Sequence, residues 1–313
     1  MRATKRLRSR LRSGLAACAV AAGTLLAAVS PGLSAAHAAT PADVRRQAAV
    51  PLSGVQIVKT SGTIDNFTRQ SAYCPNGKVA VSGGGEVTTN ANPYPDNQAL
   101  VGSFPMYSNG TAIGWSVNAR SAPIVAPMTV TTYAVCATAP SGYEVLRAAP
   151  PGQPLSVPRG ETTTLTCPTG KIALGGGGEV LGAKFTGLSK SFPTGVDASG
   201  LPTKWTVGAY NQTRTTQDVY AFVVCSDPVQ NLTYGVRTET SGNPVGGLLL
   251  CAPGKQIISG GVSVNQTANN QFIANLVASR PGLASEGAVR DGWWIQAGSI
   301  YEPMSADLYV MCL

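Results

Sequence analysis

Histidine is almost missing from this chain: there is one in 313 residues, His37. It lies inside Ala36-His37-Ala38, a small-x-small pattern that fits a signal-peptidase cleavage rule, so the mature chain is expected to begin near Ala39 and to hold none. That excludes Ser-His-Asp and Cys-His catalysis and histidine-ligated zinc. Charge is scarce as well, with Asp, Glu, Lys and Arg making up 12% of the residues. Of 23 basic and 15 acidic residues, six basic and no acidic ones fall within 1–38, leaving 17 against 15. A mature net charge near +2 offers no electrostatic footing for nucleic acid. Beyond the first 38 residues no apolar run approaches bilayer-spanning length, so no membrane span is expected. There is no convincing helical stripe, no short Cys-x-x-Cys spacing for a metal, no phosphate loop, no dinucleotide fingerprint and no nucleophile elbow. No metal and no cofactor are expected.

The start of the chain is a targeting segment by the same criteria. Arg2, Lys5, Arg6, Arg8, Arg10 and Arg12 give a basic start, and Leu15 to Val29 is apolar and Ala-rich. Residues 1–38 therefore read as a signal peptide, and 39–51, with Pro41 and Pro51, as a flexible leader. The expected location is extracellular.

Six cysteines remain in the mature chain, and they bracket three copies of one script. Cys74-Pro-Asn-Gly-Lys78 recurs as Cys167-Pro-Thr-Gly-Lys171 and as Cys251-Ala-Pro-Gly-Lys255. A glycine run follows each time: Gly83-Gly84-Gly85, Gly175 to Gly178, and Gly260-Gly261. Next comes Ser-x-Pro (Ser103-Phe104-Pro105, Ser191-Phe192-Pro193, Ser279-Arg280-Pro281), then Trp115, Trp205 or Trp293. Each copy closes on an apolar strand ending in Cys136, Cys225 or Cys312. Of fifteen formal connectivities, only Cys74–Cys136, Cys167–Cys225 and Cys251–Cys312 treat the three copies alike. In the chain-entropy model each loop of this size stabilises by about 4 kcal/mol. The copies read as repeats over 52–140, 141–230 and 231–313.

The local pattern is β throughout. Trp115-Ser-Val-Asn-Ala-Arg120, Trp205-Thr-Val-Gly-Ala-Tyr210 and Trp293-Trp-Ile-Gln-Ala-Gly298 alternate with period two. Thirty-six glycines and 22 prolines suit short strands joined by tight turns. The fold class is all-β: three disulfide-stapled antiparallel repeats, four or five strands each, in a pseudo-threefold prism-like assembly. An immunoglobulin bead is a poor fit, because its core tryptophan follows the first cysteine by about a dozen residues, whereas Trp115 follows Cys74 by 41.

With Cys-Pro-x-Gly, an apolar-Ala-apolar stretch, glycines and a closing cysteine repeated three times, residues 52–313 resemble vitelline membrane outer layer proteins. The resemblance implies a secreted, disulfide-bonded chain whose three Greek-key sheets pack as a β-prism around a pseudo-threefold axis. The repeats here are longer than that family's, and its Asp-x-x-x-Asn pattern before the closing cysteine is missing. The chain is also similar to secreted actinobacterial proteins with Cys-Pro-x-Gly-Lys followed by Gly-Gly-Gly.

Glycine inside a strand points to close packing, and the tryptophan one strand away is the expected occupant. Trp115, Val117 and Ala119, with their counterparts, are the expected interior face. The opposite face should meet solvent. It presents Trp294 beside Gln296, and in the other repeats Tyr210 with Asn211, and Arg120. An aromatic plane flanked by amides suits a sugar face, so these five residues are the candidate ligand-binding set. Glu86 and Glu179 follow their glycine runs at the same offset. They form an acid/base pair only if about 5–10 Å apart, and pairing with a nearby Lys or Arg is the leading expectation. Lys78, Lys171 and Lys255 should solvate an edge. No catalytic residue is assigned. The expected function is non-enzymatic binding or structural service outside the cell, lectin-like towards glycan or cell-envelope polymer. A protein-binding coat or inhibitor module is the alternative partner class, and a carboxylate-dependent glycoside hydrolase is third.

Overall fold

The computed structural model describes residues 49–88, 98–121, 127–150, 152–158, 160–181, 186–211, 216–242, 244–265, 274–299 and 304–313. The signal peptide and residues 39–48 of the leader lie outside them. The first repeat supplies β1 (Gln56–Ile64), β2 (Arg69–Tyr73), β3 (Val79–Thr88), β4 (Gln98–Ser108), β5 (Thr111–Ser121) and β6 (Met128–Ala137). The second supplies β7 (Glu144–Arg147), β8 (Leu155–Val157), β9 (Thr162–Thr166), β10 (Ile172–Leu181), β11 (Thr186–Val196), β12 (Pro202–Asn211) and β13 (Gln217–Ser226). The third supplies β14 (Thr233–Gly242), β15 (Val245–Leu250), β16 (Ile257–Asn265), β17 (Ala274–Gly282), β18 (Gly292–Ser299) and β19 (Met304–Cys312), with a 3-10 turn at Ala284–Glu286. Six or seven strands per repeat exceed the expected four or five, because the short opening segments and the flanks of each cysteine all pair.

The three sheets do not coincide with the three repeats. The first face of the prism runs β1-β6-β3-β17-β18-β15, the second β2-β5-β4-β10-β13-β7 with β8 also on β13, and the third β14-β19-β16-β11-β12-β9. Each repeat therefore gives three or four strands to one face and three to the next. Each face is closed by a seam between different repeats, and each seam is short: Ser279↔Gly85 and Ala278↔Glu86, Ser103↔Gly178 and Gly102↔Glu179, Ser191↔Val262 and Lys190↔Ser263. The disulfides pair as the repeat predicts, Cys74–Cys136, Cys167–Cys225 and Cys251–Cys312. Each links the end of a strand on one face to the closing strand of the neighbouring face, so the three bridges staple the three corners.

The repeated motifs have local causes. In Cys-Pro-x-Gly-Lys the lysine amide donates to the carbonyl three residues back (Lys78 to Pro75, 3.0 Å; Lys171 to Pro168, 3.0 Å; Lys255 to Ala252, 3.1 Å). That turn needs left-handed backbone at the glycine, where φ is +81°, +86° and +79°. The lysines then reach the opening segment of their own repeat: Lys78 to Gln56, Lys171 to Glu144, Lys255 to the Asn231 carbonyl. They tie β1 and β7 and the turn before β14 rather than merely solvating an edge.

The core sits between the faces. Trp115, Trp205 and Trp293 are fully buried, and each indole Nε1 donates to the serine of the same repeat's Ser-x-Pro: Ser103 at 2.9 Å, Ser191 at 3.1 Å, Ser279 at 3.0 Å. Each ring lies flat on a bare glycine, Gly83, Gly176 or Gly260, where a Cβ would fall inside the indole. These glycines, the serines and Leu100, Leu188 and Leu276 surround an axial space of only about 10 Å³. That is at the lower limit for a single water, so the axis is packed and not a ligand site. The end of the leader also joins the body: Val50 makes a parallel bridge to Val229, and Leu52, the first residue of the repeat that follows, is buried.

Candidate binding grooves on the prism faces

The seams put the same three positions together on the outside of each face. They are the residue twelve positions after the opening cysteine (Glu86, Glu179, Ser263), the aromatic of the closing strand (Tyr133, Phe222, Tyr309) and the middle residue of Ser-x-Pro (Arg280, Phe104, Phe192). The aromatic stands opposite the middle glycine of the run, Gly84, Gly177 or Gly261. A large ring beside a residue with no side chain is a recurrent way of covering bare strand backbone.

On the second face these residues floor a groove of about 360 Å³. Phe104 stacks on Phe222 at 5.6 Å, and Tyr107 meets Phe222 edge-on at 5.8 Å. Glu179 is buried, and its oxygens accept from Arg69 Nη2 at 2.7 and 2.8 Å and from Asn118 Nδ2 at 3.0 Å. Arg69 also lies over the Phe104 ring at 5.0 Å. Opposite, the Arg147 guanidinium stacks on Tyr220 at 3.8 Å.

The first face carries a groove of about 390 Å³ lined by Trp294, Leu248 and Tyr133, with four charged groups. Arg280 Nε donates to Glu86 at 2.7 Å, and Lys59 Nζ donates to Glu286 at 2.6 Å. Tyr133 donates its hydroxyl to Glu286 at 3.2 Å. The Glu286 carboxylate, set against its desolvation, holds the Lys59 ammonium above the usual lysine range. On the third face the position is filled by rings: Phe192 stacks on Tyr309 at 4.9 Å, and Tyr234 lies 6.3 Å beyond.

Of the five candidate residues, the structure places Trp294 in a groove wall. Gln296 is half-buried on the same strand, outside that wall. Arg120 and Tyr210 are not on a solvent face, which corrects the expectation for both: they are 4% and 2% exposed. Both lie where the first residues of β4, β11 and β17 converge: Gly187, opposite Tyr210, lies against Ala99 and Asn275. There Arg120 Nε donates to the Thr186 carbonyl at 2.6 Å and Nη2 to Asn275 at 3.4 Å. Burial lowers the Arg120 pKa to about 10. Asn211 ends β12, and its side chain lies outside the described residues. Glu86 and Glu179 sit on different faces, each held by an arginine, as the ion-pair expectation has it.

The residues that sequence reasoning passed over are Arg69, Phe104, Tyr107, Arg147, Tyr220 and Phe222. Their signal was the one place where Ser-x-Pro differs between copies, Phe104 against Arg280. Among the described residues no cluster of His, Cys, Asp and Glu is arranged to hold a metal, and no helix is long and apolar enough to cross a membrane. No family model matches the chain, and no curated protein matches it in sequence.

Burial also sets the alkaline limit of the fold. It raises the pKa of Tyr234 to about 12 and pushes those of Tyr133, Tyr143 and Tyr309 up as well. An unfolded tyrosine titrates near 10. The folded phenols keep protons that the unfolded ones lose, so their contribution is whole below about pH 10 and is lost as the pH climbs towards 12. Arg120 has the opposite sign, since burial holds its folded pKa below the unfolded value. Four tyrosines against one arginine leave a net loss. The urea midpoint should hold from pH 8 to about 10 and fall by pH 11, and an unchanged midpoint at pH 11 would contradict the assigned burial.

Proposed function

We propose that the mature chain is exported and works outside the cell as a non-enzymatic, lectin-like protein that binds glycan or cell-envelope polymer on its outer faces. One observation carries this: two grooves of about 360 and 390 Å³ each join aromatic surface to fixed, charged hydrogen-bonding groups. Ring faces suit the apolar side of a sugar, and rigid donors and acceptors suit its hydroxyls. Three disulfides with no unpaired cysteine after residue 38 fit an oxidising compartment. Kinship with the vitelline membrane outer layer family belongs to the same proposal. It rests on the prism layout and the cysteine pattern. The protein-partner alternative has less to rest on: among the described residues the exposed large apolar side chains are Phe67, Tyr73, Ile113, Val196, Val236 and Val289, and only Tyr73 and Ile113 fall on directly paired strands, β2 and β5.

A hydrolase has one observation in its favour: Glu86 and Glu286 share the first-face groove. Both spend their oxygens on Arg280, Lys59 and Tyr133, whereas a general acid needs a carboxyl kept protonated in apolar surroundings. The test is a pull-down of mature, oxidised protein on peptidoglycan and insoluble cell-wall glycans, with Trp294→Ala and Phe104→Ala alongside. Retention of the wild type, weakened about tenfold in at least one variant, is expected. Retention on no polymer would end the glycan reading, and release of reducing ends that Glu286→Gln abolishes would replace binding with catalysis.

A further inference from the structure

The two grooves differ in one respect that bears on ligand class. In the first-face groove two cations, Lys59 and Arg280, meet two carboxylates, Glu86 and Glu286, and all four are paired. In the second-face groove two cations, Arg69 and Arg147, meet one carboxylate, Glu179. Arg69 and Asn118 satisfy that carboxylate. Arg147 is left without an anionic partner among the described residues, and its Nε is shielded from water with no hydrogen-bond acceptor. Its flat face is spent on Tyr220 at 3.8 Å, with Phe222 at 5.6 Å.

We propose that the second-face groove selects acidic glycans, with Arg147 taking the anionic group and the Phe104–Phe222 pair taking a ring face. This rests on the glycan-binding reading above and names its ligand class. A half-buried guanidinium without a counter-charge is costly to keep. An incoming carboxylate or phosphate removes that cost and gains charge-assisted hydrogen bonds in the fork geometry that a guanidinium presents. The stack on Tyr220 fixes the plane of the fork in advance, so little side-chain entropy is lost on binding. Carboxylated and phosphorylated sugars share this chemistry, and the assay separates them.

The test uses mature, oxidised protein in solution against polygalacturonate, a phosphorylated dextran and a neutral dextran of similar length. Acidic polymer should bind at least tenfold tighter than dextran at low salt, and which of the two acidic polymers prevails identifies the carboxylate or the phosphate source. Arg147→Gln, which puts a neutral amide on a shorter stem, should abolish the preference. Arg147→Lys, which keeps charge without the planar stack, should retain part of it. Should both variants misfold, the wild type alone decides, since added salt must weaken acidic-polymer binding and leave dextran unchanged. Equal affinity for acidic and neutral polymers overturns the inference and leaves the glycan reading standing. Binding to none of the three overturns the inference, and the pull-down on peptidoglycan and cell-wall glycans decides the glycan reading separately. A preference that survives Arg147→Gln in folded protein overturns the assignment to this groove.

Discussion

Gly177→Ala is expected to lower the melting temperature by roughly 6–12 °C. At this position the second-face seam brings the Ser103 carbonyl against the Cα of Gly177, so close that an added Cβ would overlap the oxygen. Gly84 and Gly261 stand the same way against the carbonyls of Ser279 and Ser191. The atom in the way is backbone, held between β5 and β10 by ladder hydrogen bonds, so no rotamer change relieves the clash. Overpacking a tight site costs about 1–3 kcal/mol and sometimes more. With the seam only two residue pairs long, about 3 kcal/mol is the expected minimum. At about 2–4 °C per kcal/mol for a domain of this size, the shift follows. Gly235→Ala is the control, because the new methyl there meets only Val310 Cγ1 at an ordinary 3.4 Å. If the two variants melt together, the seam is not where the prism closes.

Trp115→Ala should be the costliest single truncation, by about 3–5 kcal/mol. The indole is wholly buried over Gly83, and a glycine cannot move a side chain into the vacated space. Ser103 would lose its Nε1 donor at the same time, leaving a buried hydroxyl short of a partner. Trp115→Phe keeps most of the volume but loses part of the ring with the hydrogen bond, which is itself worth about 1 kcal/mol, so its cost should fall between those of wild type and Trp115→Ala. Trp294→Ala provides the contrast. It lies half-buried in a groove wall, should cost no more than about 1 kcal/mol in stability, and should act on binding instead. Urea unfolding of the three variants checks the ordering. Equal losses for Trp115→Ala and Trp294→Ala would place Trp294 in the core.

The legible parts of the fold are those that three internal copies can triangulate. The disulfide pairing and the packing of tryptophan on glycine follow from offsets that recur around Cys74, Cys167 and Cys251. The division of each sheet between two repeats leaves no such trace. A seam of two residue pairs, such as Gly85↔Ser279 and Glu86↔Ala278, is set by which edges happen to meet in space. The candidate site suffered for the same reason. Alternation along β5 and β12 correctly put Trp115 and Trp205 inside. It could not say that Arg120 would be covered by Thr186 and Asn275 of the other two repeats, or that Tyr210 would be buried with it. Phe104 and Phe222 belong to different repeats, and only the seam makes them one surface.

Because each repeat offers two unlike edges at the seams, the β3-type edge and the β4-type edge, the contact between repeats is head-to-tail. A head-to-tail contact leaves one donor edge and one acceptor edge open at every copy number except the one at which the ring shuts. Here the ring shuts at three, and all six seam edges vanish together. A chain one repeat short would keep two of them exposed as templates for pairing with other chains.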